Sequence, residues 1–169
     1  MKLHHMKGVG LSNVYLRNGF TIENSDWDET ISYEYLTGLY LEIGRAIAST
    51  PFTLRAEEFR FMRKQLRMSQ ADIAALFDKS DQAVAKWEKG LLPVPKAEST
   101  LLKVFWLNQK VRATEFKSIV SSFNTSVDAQ VKAANYAFTF NDGMWQLAAS
   151  AAKGPSNSRL RFNGASQWL

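Results

Sequence analysis

The chain has 169 residues, 46% of them apolar, and a formal charge of +5 at pH 7. This length suits one compact core or two small ones. The absence of cysteine excludes disulfides and thiolate metal sites, and the adjacent His4 and His5 lack a third ligand, so neither a metal nor another cofactor is expected. No apolar run approaches the roughly 18 residues of a membrane-spanning helix, and the first residues lack a secretory signal, which predicts a cytoplasmic protein without membrane contact.

Positive charge is concentrated in the middle and at the end of the chain. Residues 1–53 hold four Lys/Arg against six Asp/Glu, residues 54–110 hold eleven against seven, and residues 111–169 hold six against three. This asymmetry favours a polyanionic partner, although a modest positive balance is also common on surfaces that bind nothing in particular.

Residues 1–53 are predicted to form an N-terminal module that begins with a small β-hairpin. Asn13–Glu23 alternates apolar and polar residues on both sides of Asn18-Gly19. Asn-Gly is the strongest short hairpin signal, because both turn residues must take a positive φ. The module therefore is expected to pair the two halves of this stretch with each other.

A helix is predicted after Thr30 and is ended by Pro51. Its apolar residues recur at spacings of three and four, namely Leu36, Leu39, Tyr40, Ile43 and Ile47. Two glycines, Gly38 and Gly44, lie within it. Each costs about 1 kcal/mol relative to Ala, unless close packing requires a glycine there.

Residues 54–110 are predicted to form a helical domain. Its first helix begins after Thr53, with Glu57 and Glu58 near the positive end of the helix dipole. The predicted buried face contains Phe59, Met62 and Leu66, and the predicted surface contains Arg60, Arg63, Lys64 and Arg67. The last helix, Ala97–Val111, offers apolar surface for a core or for a partner subunit in Leu101, Leu102, Phe105 and Trp106.

Between these helices, Met68–Gly90 predicts two short helices joined by a tight turn at Asp78. Ser69 and Ser80 are suitable N-caps of the two helices, and Gly90 ends the second as a left-handed C-cap. The predicted inward residues are Ile73, Leu76 and Phe77 in the first helix and Val84 and Trp87 in the second. The outward residues of the second helix are Asp81, Gln82, Lys86 and Lys89.

The rest of the chain is predicted to comprise an extension, residues 111–150, and a flexible basic tail, residues 151–169. The extension contains two helical patterns, 113–123 and 126–138, followed by a second hairpin around Asn141-Asp142-Gly143. It is a candidate for dimerisation.

The string SQADIAALFDKSDQAVAKWEKG resembles the S-Q-x-x-L-A-x-x-x-G-x-S-x-x-x-V-x-x-W-E-x-G signature of Cro/repressor-type (XRE family) DNA-binding domains. The resemblance covers Leu54 to about Lys110. It implies a mainly α fold, a lambda repressor-like helix-turn-helix bundle, here flanked by small N- and C-terminal β-hairpins. Two residues depart from the signature: Asp78 stands where the family usually has Gly, and Lys79 where it usually has an apolar residue.

A narrower resemblance involves the N-terminal hairpin, the linking helix and the string LRAEEFRFMRKQLRMSQ, which together look like regulators related to MqsA/YgiT-type antitoxins. Relatives of that kind often carry a cysteine-bound zinc in the N-terminal module. Since this chain has no cysteine, that zinc does not carry over.

The resemblance implies that the second helix lies in the major groove of DNA. Base-reading residues would be Ser80, Asp81, Gln82 and Lys86, because Gln can pair with adenine, Lys with guanine and Asp with the amino group of cytosine. Phosphate contacts, which position the domain without specifying sequence, would come from Arg63, Ser69, Gln70 and Lys89. Trp87 and Glu88 are assigned instead to packing and local hydrogen bonding.

These roles describe a sequence-specific regulator that binds a double-stranded DNA operator, a homodimer that represses from a palindromic site. The alternative is an antitoxin or interaction module that mainly binds a toxin or other protein partner through the acidic residues 1–53, with autoregulation secondary. A plain αα-hairpin is disfavoured by the match to the whole signature. No enzyme is expected, because the sequence lacks a nucleophile–base set, a Gly-rich phosphate loop and clustered carboxylates.

Overall fold

The computed structural model describes residues 3–24, 29–112, 115–116, 119 and 135–148. Five α-helices, one short 3-10 helix (Lys7–Val9) and six short strands are defined within these ranges. The strands are β1 (His4–His5), β2 (Val14–Leu16), β3 (Phe20–Asn24), β4 (Glu29–Tyr33), β5 (Tyr136–Asn141) and β6 (Met144–Leu147). The helices are α1 (Leu36–Ala48), α2 (Ala56–Gln65), α3 (Gln70–Phe77), α4 (Asp81–Glu88) and α5 (Lys96–Lys110). The expected mainly helical fold is confirmed, and the expected β-hairpins are confirmed only in part.

One sheet joins strands from both ends of the described chain in the order β1-β2-β5-β6. Strand β2 pairs in parallel with β5, with Val14 opposite Tyr136. Strands β5 and β6 form the predicted second hairpin, whose turn residues Asp142 and Gly143 both have positive φ. The sheet therefore combines strands from the predicted 1–53 module and the predicted 111–150 extension.

The predicted first hairpin around Asn18-Gly19 is wrong in its pairing. Strand β2 belongs to the four-stranded sheet, whereas β3 pairs with β4 in a separate two-stranded sheet. The Asn18 side chain exchanges two hydrogen bonds with the backbone of Phe140, at 2.9 and 2.6 Å. A Cβ on Gly19 would overlap the ring of Trp145. The Asn-Gly pair therefore carries the chain from one sheet to the other, and glycine is needed there for close packing as well as for its positive φ.

Helix α1 begins later than predicted, at Leu36 rather than after Thr30. Residues Glu29–Tyr33 form β4 instead, because every residue of β3 has a partner there. The apolar face of α1 is confirmed, since Leu39, Ile43 and Ile47 are fully buried. Leu36 is the exception, being exposed at the start of the helix.

The core runs continuously through the described residues of the sheet and all five helices. Trp106 of α5 is fully buried, and Gly44 of α1 faces its ring so closely that a Cβ would overlap it. Most of the helices predicted within 113–138 and the whole predicted tail, 151–169, lie outside the described residues. The predicted end of the second of these helices, residues 136–138, is wrong, because those residues belong to strand β5 and pair with β2. None of the described helices is long and apolar enough to cross a membrane.

Candidate nucleic-acid interface

The predicted N-caps of α3 and α4 are confirmed. The Ser69 hydroxyl accepts a hydrogen bond from the Asp72 amide, and the Asp72 carboxylate accepts one from the Ser69 amide, at 3.0 and 2.7 Å. Hydrogen bonds donated by the Ser69 amide and by the Ser69 hydroxyl hold the pKa of the Asp72 carboxyl below its usual range. At the next helix, the Ser80 hydroxyl accepts from the Ala83 amide at 3.2 Å. Because both capping serines satisfy amides that a helix start leaves unpaired, each short helix has a defined first residue.

Helices α2, α3 and α4 all end in the same way, on a residue in the left-handed region. These residues are Arg67 (φ 57°), Asp78 (φ 51°) and Gly90 (φ 71°). After each, an amide reaches back to a carbonyl five residues earlier, as in the bond from Leu91 N to Lys86 O at 2.9 Å. Repeated Schellman-type ends of this kind keep the three helices short and their connections tight.

The inner sides of α3 and α4 pack around Phe59 of α2. The Phe59 ring meets Trp87 edge-on, with centroids 5.8 Å apart, and lies 6.5 Å from Phe77. Ile73 and Val84 are fully buried beside them. Leu76, which was also predicted to point inward, is 40% exposed, so the core of this unit contains one residue fewer than expected.

The outer face of α4 carries the residues predicted to read bases. Ser80, Asp81, Gln82 and Lys86 are all exposed, as is Lys89 just after the helix. The structure thus brings these five side chains together on one surface at the first turns and the end of α4. Long polar side chains with free hydrogen-bonding groups are suited to base edges in a major groove.

The sequence predicted that Arg63 lies on the surface. This is wrong, because the side chain is buried and the residue is only 9% exposed. Its Nε and Nη2 donate to the two carboxylate oxygens of Glu88 at 2.5 and 3.0 Å, and its Nη1 donates to the Met68 carbonyl at 2.7 Å. The guanidinium is therefore engaged inside the protein. The predicted phosphate contact of Arg63 stays untested, and its burial argues against it.

Glu88 is the centre of this buried network, in keeping with the local role assigned to it. Besides Arg63 it accepts from Gln70 Nε2 at 2.8 Å, and Arg60 donates to its carbonyl. Burial opposes ionisation of Glu88, but hydrogen bonds from Arg63 and Gln70 and the charges of Arg63 and Arg60 outweigh it and hold the pKa of the carboxyl below its usual range. Glu88 thus fixes α4 against both α2 and the start of α3.

Two of the predicted phosphate contacts also have partners within the protein. The Gln70 amide is held by Glu88, and the Ser69 hydroxyl donates to Asp72 at 2.8 Å while it caps α3. Both residues still reach solvent, with Ser69 exposed and Gln70 half-buried. The internal hydrogen bonds therefore fix the orientation of the Ser69 and Gln70 side chains at the start of α3, before any phosphate binds there.

The structure accommodates both departures from the family signature. Asp78 adopts the left-handed conformation that glycine would take there. Lys79 Nζ lies 3.3 Å from the mostly buried carboxylate of Glu98 at the start of α5, so the lysine ties the turn to the next helix. An apolar residue could not make that contact.

Sequence reasoning gave no role to Lys64 and Arg67, although both are exposed at the end of α2, just before the α3 cap. Arg67 is especially well placed, because its left-handed backbone turns the chain directly into Met68-Ser69. The available signal was the basic cluster RKQLR immediately before the motif.

Comparison with protein families matches residues 59–101 to the helix-turn-helix model. The chain contains a DNA-binding helix-turn-helix domain. The matched stretch is about a quarter of the chain, begins in α2, includes all of α3 and α4, and ends in α5. It supports a regulator of the Cro/repressor type. Of the residues behind the narrower likeness to MqsA/YgiT-type antitoxins it covers only 59–70, not the N-terminal hairpin or the linking helix, so it does not support that likeness. No curated protein and no solved structure matches the chain.

Proposed function

We propose that the chain is a sequence-specific regulator of transcription that represses as a homodimer on a palindromic operator. The observation that carries this proposal is the surface of α4, where Ser80, Asp81, Gln82 and Lys86 are exposed while Trp87 and Glu88 anchor the opposite side. In a helix-turn-helix domain that arrangement directs the exposed side chains to base edges.

A dimer is proposed because one such domain contacts only a few base pairs, and half-sites for two domains lie about 34 Å apart or a multiple of that distance. Leu102 and Trp106 are buried in the protein's own core. Leu101 and Phe105, four residues apart on α5, are 50% and 37% exposed and form an apolar stripe. We propose this stripe as part of the contact between subunits.

The test is selection of bound sequences from a randomised DNA pool, followed by titration of the selected site. Gln82→Ala and Lys86→Ala should each weaken binding to that site by about 1–3 kcal/mol and leave binding to unrelated DNA largely intact. Lys110→Ala, a change at the far end of α5, is the matched control for loss of one positive charge. Equal binding of all DNA by both variants and the control would place the DNA surface elsewhere.

The same variants separate this proposal from the antitoxin or interaction-module alternative. If the chain co-purifies with the product of a neighbouring gene, and Gln82→Ala and Lys86→Ala leave both that complex and DNA binding unchanged, protein binding is the main role. Loss of operator binding with the complex intact means that the domain is a functional DNA reader in either case.

A further inference from the structure

A groove of about 640 Å³ lies between β1 and the β3–β4 hairpin, and none of its lining residues belongs to the helix-turn-helix domain. Its floor is one face of the hairpin. Phe20 is paired with Tyr33 and Ile22 with Ile31, and cross-strand partners project from the same face of a sheet. Ile22 is 42% exposed. The groove thus has an apolar floor that the described part of the protein leaves open to solvent.

Aromatic rings give one end of this groove a flat wall. The His4 ring stacks on Phe20, with centroids 4.4 Å apart and planes 28° from parallel. Burial lowers the pKa of His4 below its usual value against the opposing charge of Glu29, and His5 and Lys7 act in the same direction as burial. The lowered pKa favours the neutral imidazole, so the stacked His4 ring extends the apolar surface of the groove towards its rim.

Charged groups lie at the rim of the groove and are of both signs. Lys7 is exposed and supplies positive charge, while Glu29, the first residue of β4, supplies negative charge. A single carboxylate can pair with one ammonium group. Glu29 repels any anion bound there, but a phosphate dianion carries twice the charge of a carboxylate, so it would be repelled more strongly by Glu29 and neutralised only in part by Lys7.

We propose that this groove binds a small monocarboxylate with a flat apolar body. The body would lie on the Ile22–Ile31 floor beside the His4–Phe20 wall, and the carboxylate would pair with Lys7. The volume is that of ordinary small-molecule sites, which are largely apolar with a few polar groups that fix orientation.

Hydrogen bonds connect the groove to the first helix of the DNA-binding domain. His5, which lines the groove, contacts the Ser12 carbonyl through Nε2 at 3.0 Å. The Ser12 amide and hydroxyl both donate to the Glu57 carboxylate, in the first turn of α2, at 2.9 and 2.7 Å. Helix α2 in turn carries Arg63, which holds α4. Binding in the groove is therefore expected to change DNA affinity, and this second part rests on the proposed function.

The test uses three probes with one ring system and different head groups: indole-3-acetate, indole-3-acetamide and tryptamine. Isothermal titration calorimetry on the full chain, without DNA, should show the acid binding at least ten-fold more tightly than the neutral amide or the cationic amine. Lys7→Ala should abolish that preference, whereas Lys110→Ala should keep it. Ile22→Thr, a β-branched change at an exposed strand position, should weaken the acid and the amide alike.

Several outcomes would overturn the proposal. These are no binding of any probe at millimolar concentration, equal binding of acid and amide, tightest binding of the amine, or an unchanged preference in Lys7→Ala with circular dichroism like that of the wild type. Titration of the selected DNA site with and without the acid then tests the coupling. If the acid binds and DNA affinity does not change, the coupling is wrong. If no DNA binds under any condition, the proposed function fails while the ligand site stands.

Discussion

Arg63 Nε lies 2.5 Å from Glu88 Oε1, and this buried pair joins α2 to the last residue of α4. Removing one partner of such a pair leaves the other charge buried without compensation, at a cost of about 3–5 kcal/mol. We expect Arg63→Met to lower the free energy of unfolding by an amount of this order. The double variant Arg63→Met/Glu88→Leu should recover much of the loss, because neither charge then remains. Urea denaturation measures the free energy of unfolding of both variants. Equal losses of stability in the single and double variants would contradict a compensating ion pair between Arg63 and Glu88.

The salt dependence of DNA binding distinguishes a positioning residue from a phosphate contact. Each phosphate contact that is lost lowers the slope of log affinity against log salt by about 0.9 for duplex DNA. Lys89→Ala should reduce the slope by about that amount, since Lys89 is exposed beside α4. A folded Arg63 variant, such as the double variant above, should bind more weakly at every salt concentration with an unchanged slope. A lowered slope for Arg63 would restore the phosphate role that its sequence position suggested.

Acid should destabilise the wild type partly through Glu88. Its pKa is lower in the folded chain than the ordinary value of 4.5, so the folded state binds its proton less tightly than the unfolded state. The stabilisation is therefore complete above pH 4.5 and is lost as the pH falls through the folded pKa. In Glu88→Gln this contribution is absent. The difference in free energy of unfolding between wild type and Glu88→Gln should shrink as the pH is lowered from 7 to 3, as followed by denaturant titration.

The two glycines of α1 should respond oppositely to alanine. At Gly44 a Cβ would overlap the fully buried ring of Trp106, so we expect Gly44→Ala to destabilise the protein by roughly 1–3 kcal/mol through overpacking. At Gly38 the three atoms nearest to an added Cβ all belong to the ring of Tyr35, a residue that is 60% exposed and can move aside. Gly38→Ala should be neutral or stabilising by up to about 1 kcal/mol, since alanine favours the helix. Thermal melts of Gly44→Ala and Gly38→Ala measure the two changes in stability. Equal changes in the two variants would contradict the prediction.

Asp78→Gly should stabilise the turn between α3 and α4. An L-residue in the left-handed region is strained, and glycine is not, so a gain of about 0.5–1 kcal/mol is expected. Lys89 occupies the right-handed region at the end of α4, and Lys89→Gly should instead lower the free energy of unfolding. Loss of stability in Asp78→Gly would mean that the carboxylate makes a contribution larger than the backbone strain.

The helix-turn-helix could be predicted because its signals are local. Capping serines, the spacing of apolar residues and a terminal glycine each act within one or two turns of the chain, so Ser69, Ser80 and Gly90 were identified from their neighbours alone. The predicted surface position of Arg63 was wrong, because the partner that buries the side chain lies 25 residues further on. An isolated helix pattern cannot distinguish an arginine that faces solvent from one that faces a buried carboxylate.

The sheet could not be predicted for the same reason. Asn18-Gly19 carries the local signature of a hairpin, yet Asn18 bonds to Phe140, 122 residues away, and Gly19 makes room for Trp145. Most residues of strand β4 were predicted to form the first turn of the helix that was expected to begin after Thr30. The local sequence pattern indicates which residues can form a turn. Which strands pair depends also on the other strands that the fold brings alongside, and these can be distant in the sequence.

The parallel pairing of Val14 with Tyr136 places the DNA-binding domain inside a long loop closed by two strands. Helices form contacts between near neighbours, but this pairing must first bring distant parts of the chain together, which is entropically costly and slow. During synthesis, α2 to α5 are made before β5, because β5 follows them in the chain. The helical domain therefore reaches a foldable length first, and β2 stays without its parallel partner until β5 has been made.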